Sequence, residues 1–121
     1  MTSRKTQQRR EETDAFRRFA AHRQSPDHVE LLGSETWFSD RAVLSTFSLL
    51  RSEGKSYIVD AVVAVYFPDP TEKLEKGDIN RRVVRYCTQG HISESTVYGW
   101  LSIARRTYRA IAFPDEEWGA D

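Results

Sequence analysis

Hydroxyl and guanidinium side chains recur at helical spacing near the C-terminal end of the chain. Small and hydroxyl-bearing residues come first on this face and arginines follow: Ser95, Tyr98, Gly99, Ser102, Arg106 and Arg109, with Arg105 at the flank. Short side chains let a helix backbone approach a ligand closely, and a planar guanidinium can donate two hydrogen bonds to a phosphate or a guanine edge. This arrangement suits a helix in the major groove of DNA, with hydroxyls near the bases and arginines near the phosphates.

The opposite side of the same segment is apolar, which predicts that it faces a core. On a helical wheel centred on Val97, a stripe within about 60° holds Trp100, Leu101, Ala104, Tyr108 and Ile111. Ser93 stands where an N-cap hydroxyl accepts a backbone N–H, and Pro114 ends the helix. Before it, a helix capped by Asp78 is interrupted at Gly90-His91, where either residue can adopt the left-handed conformation of a tight turn.

The stretch CTQGHISESTVYGWL resembles the helix-turn-helix superfamily of DNA-binding proteins, over residues 78–113. That pattern has a small residue four positions ahead of the turn glycine, an apolar-Ser pair, and two apolar residues spaced by three in the recognition helix. The matching residues are Cys87, Ile92, Ser93, Val97 and Trp100. His91 stands where the pattern usually has glycine, and Gly90 where it usually has an apolar residue.

The resemblance implies two sets of DNA-contacting residues. Those nearest the bases would be Ser93, Glu94, Ser95, Tyr98, Gly99 and Ser102. Those on phosphates would be Arg105, Arg106 and Arg109. Glu94 either accepts a hydrogen bond from a cytosine amino group or favours the positive end of the helix dipole. Gly99 costs roughly 1 kcal/mol of helix propensity relative to Ala, so either close approach of DNA or a neighbouring helix crossing is expected there.

The two ends of the chain differ in charge. Residues 1–12 are polar and basic without apolar periodicity, which predicts a flexible arm. Four cations of this arm are expected either to reach into the DNA minor groove, as homeodomain arms do, or to form a solvated tail: Arg4, Lys5, Arg9 and Arg10. Residues 114–121 form an acidic tail that contains Trp118.

Residues 13–113 are expected to form a single all-α domain of five or six helices, because 121 residues support one hydrophobic core. Ser39 or Asp40 caps a helix that ends near Gly54. The apolar stretch at 56–67 is favoured as a buried helix over a strand, and a short hairpin is possible near 29–38. Residues 39–67 would complete a three-helix core and provide a dimer surface.

Composition narrows the classes of function. The formal net charge is zero, but six Arg oppose two acids in residues 78–113, which separates a basic region from its counter-charges. One cysteine and three scattered histidines predict neither a disulfide nor a metal site, and no motif predicts an enzyme, a cofactor or a small-molecule effector. No apolar run reaches the roughly 20 residues of a membrane span.

The hypothesis from sequence is therefore a cytoplasmic, nucleoid-associated transcription regulator that binds double-stranded DNA sequence-specifically as a homodimer. Two-fold pairing is expected because one recognition helix reads few bases. The alternative is a non-enzymatic protein-binding module or an all-helical subunit of a larger assembly, which would use the arginine face against protein or RNA.

Overall fold

The computed structural model describes residues 4–24 and 35–115, and all of the regular secondary structure in these ranges is helical. Within these ranges there are five helices and no strand: α1 (Arg4–Gln24), α2 (Glu35–Ser52), α3 (Ser56–Tyr66), α4 (Asp78–Gly90) and α5 (Glu94–Ala112). The predicted all-α class is confirmed. No helix in the described ranges combines the length and the apolar character needed to cross a bilayer.

Aromatic side chains form the centre of the core. The Phe16 ring, which has no exposed surface, lies 6.0 Å from Phe47, 5.8 Å from Tyr66 and 5.6 Å from Tyr108, measured between ring centroids. These four residues belong to α1, α2, α3 and α5, so one phenylalanine joins four helices. Burial of such a ring stabilises the fold by roughly 1.5–3 kcal/mol.

The apolar segment at 56–66 is a helix, as the sequence analysis favoured. Its side chains Ile58, Val59, Val62 and Val65 are buried. They are buried on more than one face because α3 packs against α2, α4 and α5 together. A segment that touches helices on several sides has no need of the polar face of an ordinary amphipathic helix, which is why its periodicity was ambiguous.

The connector, residues 67–77 between α3 and α4, is held by one side chain from α1. The guanidinium of Arg17 donates hydrogen bonds to the carbonyl oxygens of Tyr66 (3.2 Å), Pro68 (3.2 Å), Asp69 (2.8 Å) and Glu72 (2.6 Å). Arg17 itself is buried. A single planar donor thus satisfies three carbonyl groups of a segment without regular secondary structure and the last carbonyl of α3.

The prediction of a flexible arm is wrong for residues 4–12, which form the first turns of α1. The physical reason is that Glu12 is buried against α5, where it accepts a hydrogen bond from Arg109. The cations expected to reach the minor groove as an extended arm therefore belong to a helix instead: Arg4, Lys5, Arg9 and Arg10. Residues 1–3 lie outside the described residues.

Several helix boundaries also differ from expectation. The helix expected to begin at Ser39 or Asp40 begins at Glu35, so the hairpin is wrong over residues 35–38. Residues 29–34 of that hairpin, and residues 116–121 of the acidic tail with Trp118, lie outside the described residues. The N-cap of α4 is Gly77, at φ 89°, and Asp78 is the first helical residue. Gly54 ends α2 in the left-handed conformation at φ 77°, as expected.

Candidate nucleic-acid interface

A short turn joins α4 to α5. Its left-handed residue is His91, at φ 55° and ψ 45°, while Gly90 remains helical. The backbone N–H of Ile92 donates to the Cys87 carbonyl at 3.1 Å and so closes the end of α4. Ser93 then caps α5, because its hydroxyl accepts a hydrogen bond from the backbone N–H of Thr96 at 3.2 Å. The predicted N-cap is confirmed, and of the two candidates for the left-handed position the histidine occupies it.

The first two turns of α5 present an exposed polar surface. We call it the α5 outer face and define it by the residues predicted to lie nearest DNA bases: Ser93, Glu94, Ser95, Tyr98, Gly99 and Ser102. All of them are exposed except Ser102, which is half-buried. The apolar side of α5 is turned the other way, with Val97, Leu101 and Ala104 fully buried. The exposed side of the helix is thus not occupied by the described part of the fold.

Asn80 of α4 extends this surface, and sequence reasoning missed it. Its side-chain amide donates a hydrogen bond to the Tyr98 hydroxyl at 2.8 Å, which fixes the orientation of the tyrosine. Tyr98 remains 37% exposed, so the phenol is held but not covered. The only sequence signal was the position of Asn80 in the first turn of the helix that precedes the turn, and its partner lies 18 residues away.

Gly99 is not required by close packing within the described part of the fold. A Cβ atom built on this residue would meet no heavy atom within 4 Å. Of the two explanations considered for this glycine, a neighbouring helix crossing is therefore wrong among the described residues. A mid-helix glycine costs roughly 1 kcal/mol of helix propensity, and at Gly99 the described fold leaves space for a side chain.

Arg109 does not belong to the exposed surface, and its predicted phosphate contact is wrong. Only 2% of the residue is exposed. Its guanidinium donates to the carboxylates of Glu12 and Glu11, each at 2.7 Å, and to the Gln8 carbonyl at 3.3 Å. The reason is that α1 crosses the C-terminal half of α5 on this side.

Arg105 is turned inward by the same crossing, so its predicted phosphate contact is also wrong. Its guanidinium donates to the Tyr66 hydroxyl at 2.7 Å and lies 3.8 Å from Glu12. Only 14% of the Arg105 side chain is exposed. Arg106 is exposed, so of the three arginines it is the one whose side chain is open to a ligand.

Burial changes the pKa of two groups that pack near α5, Glu12 of α1 and Cys87 of α4. It raises the pKa of Glu12, and the hydrogen bond and charge of Arg109 act in the opposite direction without cancelling the effect. It likewise raises the pKa of the Cys87 thiol, which favours the unreactive protonated form. Within the described residues, no group of three or more His, Cys, Asp or Glu side chains is placed to hold a metal ion.

Comparisons with models of protein families, with curated proteins and with solved structures gave no match. A functional assignment therefore depends on the residues of this chain. Among them, the α5 outer face combines exposure, hydrogen-bonding groups and a glycine that the described fold does not require.

Proposed function

We propose that the protein binds double-stranded DNA sequence-specifically and acts as a small transcription regulator, with α4 and α5 as a helix-turn-helix. The observation that carries this proposal is the open surface at Gly99, flanked by exposed hydrogen-bonding side chains. A recognition helix needs such a place, since its backbone must come close to the base edges. The left-handed turn at His91 and the cap at Ser93 agree with the motif.

The proposed roles follow the exposure of each side chain. The α5 outer face lies against base edges, and Tyr98 is presented to them by its hydrogen bond with Asn80. Arg106 contacts a phosphate further along the helix. Arg105 and Arg109 contribute to the fold of the protein instead.

A homodimer is part of the proposal because a second copy doubles the number of bases that are read. The exposed leucines of α2 suit the expected dimer surface within residues 39–67. Leu44 is 49% exposed and Leu49 is 43% exposed. Sedimentation equilibrium with Leu44→Glu and Leu49→Glu variants tests this assignment, and a wild-type protein that remains monomeric on DNA would contradict it.

Substitution of Gly99 by alanine is expected to have opposite effects on stability and on binding. The free energy of unfolding should rise by about 0.5–1 kcal/mol, since alanine is the better helix former and its methyl group enters open space. Duplex affinity should fall, because the same methyl group separates the helix from the DNA. Urea denaturation and fluorescence anisotropy measure the two quantities. A stabilised variant with unchanged affinity would show that nothing approaches the helix at this point.

The direct test is selection of duplexes from a random library, followed by anisotropy titrations of the enriched sequence. Arg106→Gln should weaken binding to all duplexes alike and make its salt dependence shallower, whereas Ser95→Ala should change the preference among sequences by about 1–3 kcal/mol. Arg51→Gln, which removes a distant exposed cation on α2, serves as the control. Failure of the wild-type protein to bind any duplex would overturn the proposal and favour a protein-binding module.

A further inference from the structure

Two clefts flank the connector; basic side chains outnumber acidic ones five to two in the first, and the two kinds are equal at three each in the second. One, of about 680 Å³, lies between the connector and α1 and includes Arg9, Arg10 and Lys73. The other, of about 360 Å³, lies between the connector and α4 and includes Arg85. Glu72 lines both clefts, so they are adjacent. Together their linings hold eight basic side chains against four acidic ones.

Half of these basic groups are occupied within the protein. Arg17 binds connector carbonyls, and Arg82 donates to the Val65 carbonyl at 2.9 Å. Arg81 pairs with Asp78, whose pKa is lowered first by the backbone N–H of Glu75 and then by Arg81 itself. Arg18 lies 3.5 Å from a serine hydroxyl.

The other four form what we call the connector surface: Arg9, Arg10, Lys73 and Arg85. Each is exposed, and none forms an ion pair with an acidic side chain in the part of the chain that the structure describes.

The form of the surface points to an extended polyanion. A compact anion is normally held by several donors that converge in one enclosed site, whereas these cations are distributed over α1, the connector and α4. The guanidinium of Arg17, which is buried, is already bound to carbonyl groups. Separate exposed cations match the regularly spaced charges of a nucleic-acid backbone.

Helix α4 contributes to both the connector surface and the surface around Tyr98. Asn80, bonded to Tyr98, and Arg85 are both exposed on this helix, about 140° apart around its axis. The exposed half of α4 thus carries the partner of a proposed base-reading residue at one edge and a cation of the connector surface further round. We propose that the connector surface binds the sugar-phosphate backbone of the same DNA duplex. This inference rests on the proposed function and supplies the phosphate contacts that Arg105 and Arg109 do not make.

The test compares three double variants by anisotropy with a labelled duplex of mixed sequence, over a series of salt concentrations. One removes the α1 cations, one removes the connector and α4 cations, and a control removes two exposed cations that stack on Phe19 and Phe47: Arg9→Gln with Arg10→Gln, Lys73→Gln with Arg85→Gln, and Arg23→Gln with Arg51→Gln. Circular dichroism melting checks that all three fold. The control carries the same change in net charge, so it isolates position from charge.

We expect each of the first two variants to bind on the order of tenfold more weakly at about 0.1 M salt, with a salt dependence shallower by about 0.9 for each phosphate contact removed. The control should bind as the wild-type protein does. If all three double variants bind alike, the inference is overturned, and the proposed role of the α5 outer face is not affected by this result. If the first two double variants lose binding while Ser95→Ala and Gly99→Ala do not alter it, the inference stands, and the proposal that α5 reads bases is overturned. A wild-type protein that binds no duplex overturns both.

Discussion

Replacement of Arg109 by methionine should lower the free energy of unfolding by about 3 kcal/mol. The substitution keeps an apolar stem of similar length but removes the group that neutralises Glu12, whose side chain is only 8% exposed. A buried carboxylate that loses its partner keeps its desolvation cost without the compensating attraction. The Arg105 guanidinium, whose Nε lies 3.8 Å from the Glu12 carboxylate, still attracts that charge. The expected loss of stability is therefore at the lower end of the range for broken buried pairs. Urea denaturation near neutral pH measures it.

Two variants separate this effect from loss of packing. Arg106→Met changes the same residue type three positions earlier on an exposed site and should cost less than about 0.5 kcal/mol. Arg109→Met combined with Glu12→Leu should recover much of the lost stability, because both charges leave the interior together. If Arg109→Met costs no more than Arg106→Met, α1 is not held to α5 by this ion pair.

The same variant should have a characteristic pH dependence. A carboxyl whose pKa is higher in the folded than in the unfolded protein contributes stability at low pH that is lost as the pH rises through the folded value. Burial already raises the pKa of Glu12, and removal of Arg109 removes an opposing effect. The stability deficit of Arg109→Met relative to the wild-type protein should therefore become smaller as the pH is lowered from about 7 to about 5, because Glu12 is then protonated and no longer needs a cationic partner.

These two arginines also show where sequence reasoning about the site reaches its limit. Arg106 and Arg109 lie only about 60° apart around an ideal helix, so periodicity places both on the outward face. Their environments differ because α1 covers one and leaves the other exposed. The partner Glu12 lies 97 residues before Arg109, and its own position in an apparently polar arm concealed the contact. The adjacent acids Glu11 and Glu12 within a basic stretch were the available signal.

Features determined by neighbouring residues were predicted better than those determined by distant ones. The cap at Ser93, the turn at Gly90-His91 and the core side of α5 all follow from local spacing, and the structure agrees with each. The helix at 56–66 needed only a choice between two periodicities. The start of α1 could not be predicted, because its first turns have no apolar stripe and are fixed by α5.

Within the candidate site, too, the residues placed by local spacing were predicted and those brought together by packing were not. Ser95, Tyr98 and Gly99 were placed on an exposed face by helical spacing alone, and they lie there. Asn80 and the connector surface were missed because they come together only when α1, the connector and α4 pack. Spacing within one helix determines which side of it is polar, whereas packing between helices determines which part of that side stays open.

Replacement of Arg17 by methionine should be the other strongly destabilising change, at about 3 kcal/mol. Its guanidinium donates to three connector carbonyls and to the Tyr66 carbonyl at the end of α3, and hydrogen bonds from a charged donor contribute roughly 1.5–3 kcal/mol each without being additive. Some of these carbonyls regain water in the variant, so the total is well below the sum. Thermal or urea unfolding gives the loss of stability.

Arg17→Lys gives the sharper form of this experiment, because it keeps the charge. An ammonium group has three donors on one nitrogen and cannot span carbonyl oxygens that a planar guanidinium reaches from two nitrogens, so the lysine variant should recover less than half of the loss. Hydrogen exchange should show reduced protection of the Glu72 amide, which donates to the Asp69 carbonyl at 3.1 Å inside the clamped segment. Full recovery by lysine would mean that charge alone, and not the shape of the guanidinium, orders the connector beside the proposed DNA-binding surface.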